Sequence, residues 1–205
     1  YGTLAVDVTR LDPEAPVTTD LLTDNFVGFR AFTELAPQLG VDGRTFKWQV
    51  VGPVTLGLTL LRAGAPDHLA FPVATQAINE HVATLGSVLA EVLPNSMQLI
   101  VFDEPLMVDL MSNDFPLAPD AVADMLSGVM ASAQSFGVVG LHCCFEADWP
   151  SLLEAGPQVL SMPATEAVVD VSGYLDRFMQ NGGRIAWGAV GTEGPVGMSA
   201  GRSWK

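Results

Sequence analysis

Short apolar runs alternate with longer stretches of helical periodicity along most of this chain, and that alternation constrains the fold more than any other feature. The runs occupy residues 46–51, 99–102, 138–141, 159–162 and 184–190. Runs of this length, bounded by turn residues, read as strands buried within a sheet. After the first run, Ile78, Val82, Leu85, Leu89 and Val92 recur at spacings of three and four and mark one helix face. Pro119-Asp120 opens a second helix, with Val122, Met125, Leu126, Val129 and Met130 as its apolar stripe. A third begins near Trp149-Pro150, and a fourth runs from about Thr165 to Asn181, where Gly182-Gly183 supplies a stop. The order βαβαβαβαβ implies a parallel sheet covered by helices, either doubly wound or closed into a (β/α)8 barrel.

A barrel needs eight strands and about 250 residues. The chain has 205 residues, and its pattern supplies five strands plus a possible short one at 4–8. The expected organisation is one α/β-barrel domain, incomplete in this chain. It has an N-terminal strand and helix excursion at 1–45, barrel elements at 46–190 and an irregular tail at 191–205.

Composition narrows the function classes. A hydrophobic fraction of 49% with 16% charged residues is that of a chain able to bury a core, not of a disordered one. The net charge of −14, without a cluster of Lys and Arg, argues against nucleic acid or an anionic membrane as partner. No apolar stretch reaches the roughly 18 residues of a membrane span, and residues 1–25 lack a basic start followed by an apolar block. The expected compartment is the cytoplasm, where the only two cysteines, adjacent at Cys143 and Cys144, remain thiols.

Chemistry gathers where the runs end. The first leads into Val51-Gly52-Pro53-Val54-Thr55, the second into Phe102-Asp103-Glu104-Pro105, and the third into His142-Cys143-Cys144. Charge directly after a buried strand is costly unless solvated or used, and in parallel α/β folds the carboxyl ends of the strands are where sites form. Strand alternation puts His142 and Cys144 on one side and Cys143 on the other. A plainer reading also exists for each group. Asp103-Glu104 is a fitting cap and first-turn acid for a following helix, and both cysteines are fitting core residues.

These three motifs, extended upstream to Lys47-Trp48-Gln49-Val50-Val51, resemble in order and spacing the catalytic barrel of cobalamin-independent methionine synthase. The likeness is to short bacterial relatives within the larger group that includes uroporphyrinogen decarboxylase, and it runs from about residue 46 to 190. It implies a TIM barrel and a zinc-dependent methyltransferase of the 5-methyltetrahydropteroyltriglutamate–homocysteine type. In that family, zinc binds a homocysteine thiol and lowers its pKa for attack on the methyl group of a folate. The family's His-x-Cys ligand pair falls on His142 and Cys144. Its acid that holds the substrate amine falls on Asp103, with Glu104 beside it, and Gly52 and Thr55 shape the pocket floor. The implied partners are small molecules, a thiol amino acid with a folate or another methyl donor.

The chain departs from the family at three places. The third zinc ligand, a Glu, would fall near Met162-Pro163, where there is no ligand, and no cysteine follows Cys144. Gly191-Thr192-Glu193 stands where the family has a catalytic His. Glu146 and Asp148 substitute as ligands only if the loop after Cys144 curls back. The alternative is a metal-independent relative, decarboxylase-like or a small-molecule binder, with a degenerate zinc site. Decarboxylating a polycarboxylate calls for arginines at the mouth, yet only Lys47 and Arg62 lie near the first motif.

Overall fold

A computed structural model describes residues 7–189. Five strands, β1 (Thr45–Val51), β2 (Met97–Asp103), β3 (Val138–His142), β4 (Val159–Pro163) and β5 (Arg184–Gly188), form one sheet. Every neighbouring pair is parallel, and the spatial order equals the chain order. A doubly wound sheet reverses direction at a switch point; the described strands show no reversal.

Among the described residues, six α-helices are interleaved with or precede the strands: α1 (Val27–Leu35), α2 (Pro53–Arg62), α3 (Asp67–Val92), α4 (Pro119–Ala133), α5 (Trp149–Glu154) and α6 (Ser172–Gln180). The stripe anticipated on α3 is buried at Ile78, Val82, Leu85 and Leu89, and that on α4 at Val122, Leu126, Val129 and Met130. Among the described residues, no helix is long and apolar enough to cross a membrane.

The register decides which side chains share a face, because parallel partners point the same way. Val50, Ile100, Phe102, Val139, Leu141, Leu160 and Met162 are buried in the core that the helices cover. On the opposite face, Lys47, Gln49 and Val51 at one edge and Ala186 at the other are exposed. Pairing of Val51 with Asp103, Asp103 with His142, and His142 with Ser161 sets four strand ends in one row on that second face.

Local departures from the sequence expectations have identifiable causes. Residues 53–55, into which the first run leads, are the first turn of α2. Pro53 at the first helical position has the right φ and gives up only an N–H that a helix start leaves unpaired anyway. The fourth helix does not run unbroken from Thr165 to Asn181; a 3-10 turn at Glu166–Val169 precedes α6, which starts only at Ser172. Of the possible strand at 4–8, residues 4–6 lie outside the described residues, and Val8 begins a 3-10 turn, Val8–Arg10, whose Thr9 N–H donates to the Asp7 carboxylate at 3.2 Å. Val190, the end of the fifth run, also lies outside them.

Helices α2 and α3 pack closely at Gly57, where an added Cβ would sit 2.3 Å from the ring of Phe71, itself buried. Gly→Ala inside a helix ordinarily gains up to about 1 kcal/mol, whereas overpacking a filled core costs roughly 1–3 kcal/mol. Gly57→Ala is therefore expected to lose stability on balance, read as a lower urea midpoint. An unchanged or higher midpoint would mean that Phe71 has room to swing aside.

Candidate functional site

Glu104 and Asp103 are neighbours in sequence with opposite environments. The chain leaves β2 with the Asp103 side chain on the accessible face and the Glu104 side chain beneath the helices, fully buried. Both carboxylate oxygens of Glu104 accept from the start of α2, Oε1 from the Val54 N–H at 2.9 Å and Oε2 from the Thr55 N–H at 2.7 Å. With Pro53 lacking an N–H, these are the first free donors of the helix. Glu104 thus serves as a cap supplied by another strand, placed where the helix dipole favours negative charge.

Gly52 makes this approach possible, since a Cβ there would lie 2.1 Å from Glu104 Oε1. Thr55 is buried, and its hydroxyl accepts the Leu106 N–H at 3.4 Å. Glu104, Gly52 and Thr55, expected as substrate contacts, are placed together as one interlock behind the sheet.

Asp103 remains on the row. Its two oxygens accept from Gln49 Nε2 at 2.9 and 2.8 Å, which ties β1 to β2 across the face. His142 is the next member. Its Nδ1 lies 3.0 Å from Ser161 Oγ and 3.3 Å from the Ser161 carbonyl, so β4 orients the ring. Its Nε2 lies 3.1 Å from Cys144 Sγ, an exposed thiol. Cys143 points the other way; it is buried, and its thiol donates to the Glu104 carbonyl at 3.3 Å. Burial pushes the Cys143 thiol up to about 11, with the nearby charges of Cys144, Glu104 and Glu146 adding to the effect. Cys143 is thus a poor nucleophile or ligand.

The donor chemistry of His142 and Cys144 suits a soft cation. Two corners of a tetrahedral zinc site are about 3.6 Å apart for the usual N and S bond lengths, so the observed 3.1 Å needs only a small opening. An imidazole anchored through its second nitrogen is the arrangement metal-binding histidines ordinarily have. The two following carboxylates are engaged elsewhere, Glu146 with the Thr165 hydroxyl and Asp148 with the Ser151 hydroxyl. Among the described residues, no group of three or more His, Cys, Asp or Glu side chains gathers as a metal cage. The fit is therefore to two corners only.

The structure thus brings Asp103, His142 and Cys144 to one face and takes Glu104 away from it. Gln49 and Ser161 join the face and were not singled out from sequence. Alternation offered a signal for both, since Gln49 lies two residues before Val51 and Ser161 is the polar residue of its run. Searches against protein-family models, curated proteins and solved structures find no match, so the family resemblance rests on the motifs alone.

Burial, opposed in part by the hydrogen bonds from Thr55 and Val54 and reinforced by the charge of Asp103, moves Glu104 from the ordinary 4.5 up to about 7. Because the native state favours the protonated acid, this contribution to stability is fully present below about pH 4.5 and is lost as pH rises through about 7. Urea midpoints of the wild type should therefore fall relative to those of Glu104→Gln across that window. Parallel profiles would show that Glu104 ionises like an exposed carboxylate.

Proposed function

We propose that the five strands are an arc of a (β/α)8 barrel and that the row at their carboxyl ends binds a small thiol substrate for methyl transfer to its sulfur. The observation that carries this reading is the His142–Cys144 pair, 3.1 Å apart and anchored through Ser161, on the same face as Asp103. Barrel enzymes place their chemistry at this end of the strands. The resemblance of the three motifs to the methionine synthase family supports the same assignment.

Each group has a distinct task. Asp103, steadied by Gln49, presents a carboxylate to a substrate ammonium, a group that a carboxylate suits better than it suits a phosphate. Ser161 fixes the imidazole plane so that Nε2 faces the sulfur of Cys144. His142 and Cys144 would hold a zinc ion from two sides, with further donors still to be supplied. A bound zinc ion lowers the pKa of a coordinated thiol, so that the thiolate is present at neutral pH. Glu104 stays behind the sheet and holds the first turn of α2 against the end of β2.

The second reading, a metal-independent relative that binds a small molecule on the same row, is favoured by the two-donor count among the described residues. Elemental analysis of purified protein separates the two. Zinc retained by the wild type and by Cys143→Ser but lost from Cys144→Ser is the outcome expected from the proposed ligands. Wild-type protein that takes up no zinc would leave the metal-independent reading. Equal loss from both variants would show that the thiols were assigned to the wrong faces.

A further inference from the structure

We infer that the N-terminal segment 11–26 is a strap that protonation of His81 releases from α3. The inference does not rest on the function proposed for the strand-end row.

The segment is attached lightly. From Leu11 to Leu22, half-buried residues alternate strictly with exposed ones, and Leu11 and Leu21 pack against the core. Its backbone hydrogen bonds are local, from the N–H groups of Ala15, Thr23 and Phe26 to the carbonyls of Asp12, Asp20 and Thr23. Among the described residues, no backbone-to-backbone hydrogen bond joins it to a strand or to α3. Side chains tie it to α3: Gln76 Nε2 donates to the Ala15 carbonyl at 2.7 Å, and Thr19 Oγ1 lies 3.2 Å from His81 Nδ1. Irregular segments of this kind lie at the low end of local opening free energies.

His81 is the titratable side chain of that contact. Its ring stands 5.7 Å from that of Phe26, and it borders a cavity of about 330 Å3 together with Phe29 and Trp48. Thr19 and Phe26, both on the strap, thus supply part of what keeps water from it. The charged groups within two positions of these contacts are Asp20 and Asp24 on the strap, Arg30 on α1, Lys47 on β1 and Glu80 on α3. Arg30 is committed to the Leu21 and Thr23 carbonyls. Burial, not a neighbouring charge, holds the pKa of His81 below the ordinary 6.5.

Once the strap is detached, His81 is solvated and regains its ordinary pKa, so proton uptake favours the detached form below pH 6.5. Docking is at full strength above that pH and weakens as pH falls towards the lowered pKa of the docked ring. Detachment opens the groove of about 870 Å3 that residues 16–18 wall on one side against Phe71 and Met125.

Cleavage by proteinase K is the probe, because proteolysis of a segment that opens and closes rapidly tracks its open population. Rates of cutting within the strap of the full chain at pH 7.5 and 5.5 are each divided by the rate on a synthetic peptide of the same residues. For the wild type this ratio should rise severalfold on acidification, with a ceiling of about tenfold set by the ordinary pKa of 6.5. His81→Gln, which stays neutral, should show no rise. If that variant does not fold, the wild type decides: the rise must begin near pH 6.5 and level off where the His81 ring-proton signal finishes titrating by NMR. Protonation of Glu104 strengthens the fold on the same acidification, so its titration works against the rise. An unchanged ratio, an equal rise in His81→Gln, or a rise that continues past the ring titration would each overturn the inference.

Discussion

The contact between the Glu104 carboxylate and the first turn of α2 organises the side of the sheet on which the helices lie. It joins the end of β2 to the start of the helix that follows β1, so two successive β–α units are locked at the level of the candidate site. A helix beginning Gly-Pro has no capping side chain of its own, and α2 has none. Its first free N–H groups would be buried without acceptors if Glu104 were absent. Each such group costs about 1–3 kcal/mol, which makes the cap a requirement of the fold at this point and not an ornament. Gly52 follows from the same contact, because a side chain there would occupy the carboxylate's place.

That interlock also explains why adjacent acids divide their labour. Continuation of the pleat past β2 turns Asp103 and Glu104 to opposite sides, and on the helix side the Val54 and Thr55 N–H groups hold the buried carboxylate. Asp103 is left to the accessible face, where Gln49 steadies it. The same alternation at the end of β3 separates Cys143, bonded to the Glu104 carbonyl, from Cys144 beside His142. Backbone bonds extend the pattern beyond the strands, with the Gly52 N–H donating to the Asp103 carbonyl and the Glu104 N–H to that of His142, both at 2.8 Å. The row of polar side chains is thus a consequence of register.

Much of this was legible in the sequence. Apolar runs separated by helical stripes specified five parallel strands and the helices α3, α4 and α5, though not α1 or α2, since burial on a pleated or helical surface repeats with a fixed period. The opposed orientation of Cys143 and of the His142–Cys144 pair was equally readable, because it depends only on strand alternation. The role of Glu104 was harder to see. Its neighbours in sequence suggested a substrate group or a cap for the segment after it, whereas it caps a helix some fifty positions earlier in the chain.

What the sequence determined by itself is what periodicity can encode: the element types, their order, and the face to which each strand residue belongs. Tertiary structure alone decided which strand ends stand side by side, and therefore that Ser161 orients His142, that Gln49 holds Asp103, and that Glu104 meets Val54 and Thr55. Those contacts join residues 19 to 54 positions apart. Local propensity carries no information over such separations; they arise when the sheet register brings distant strand ends to within hydrogen-bonding distance.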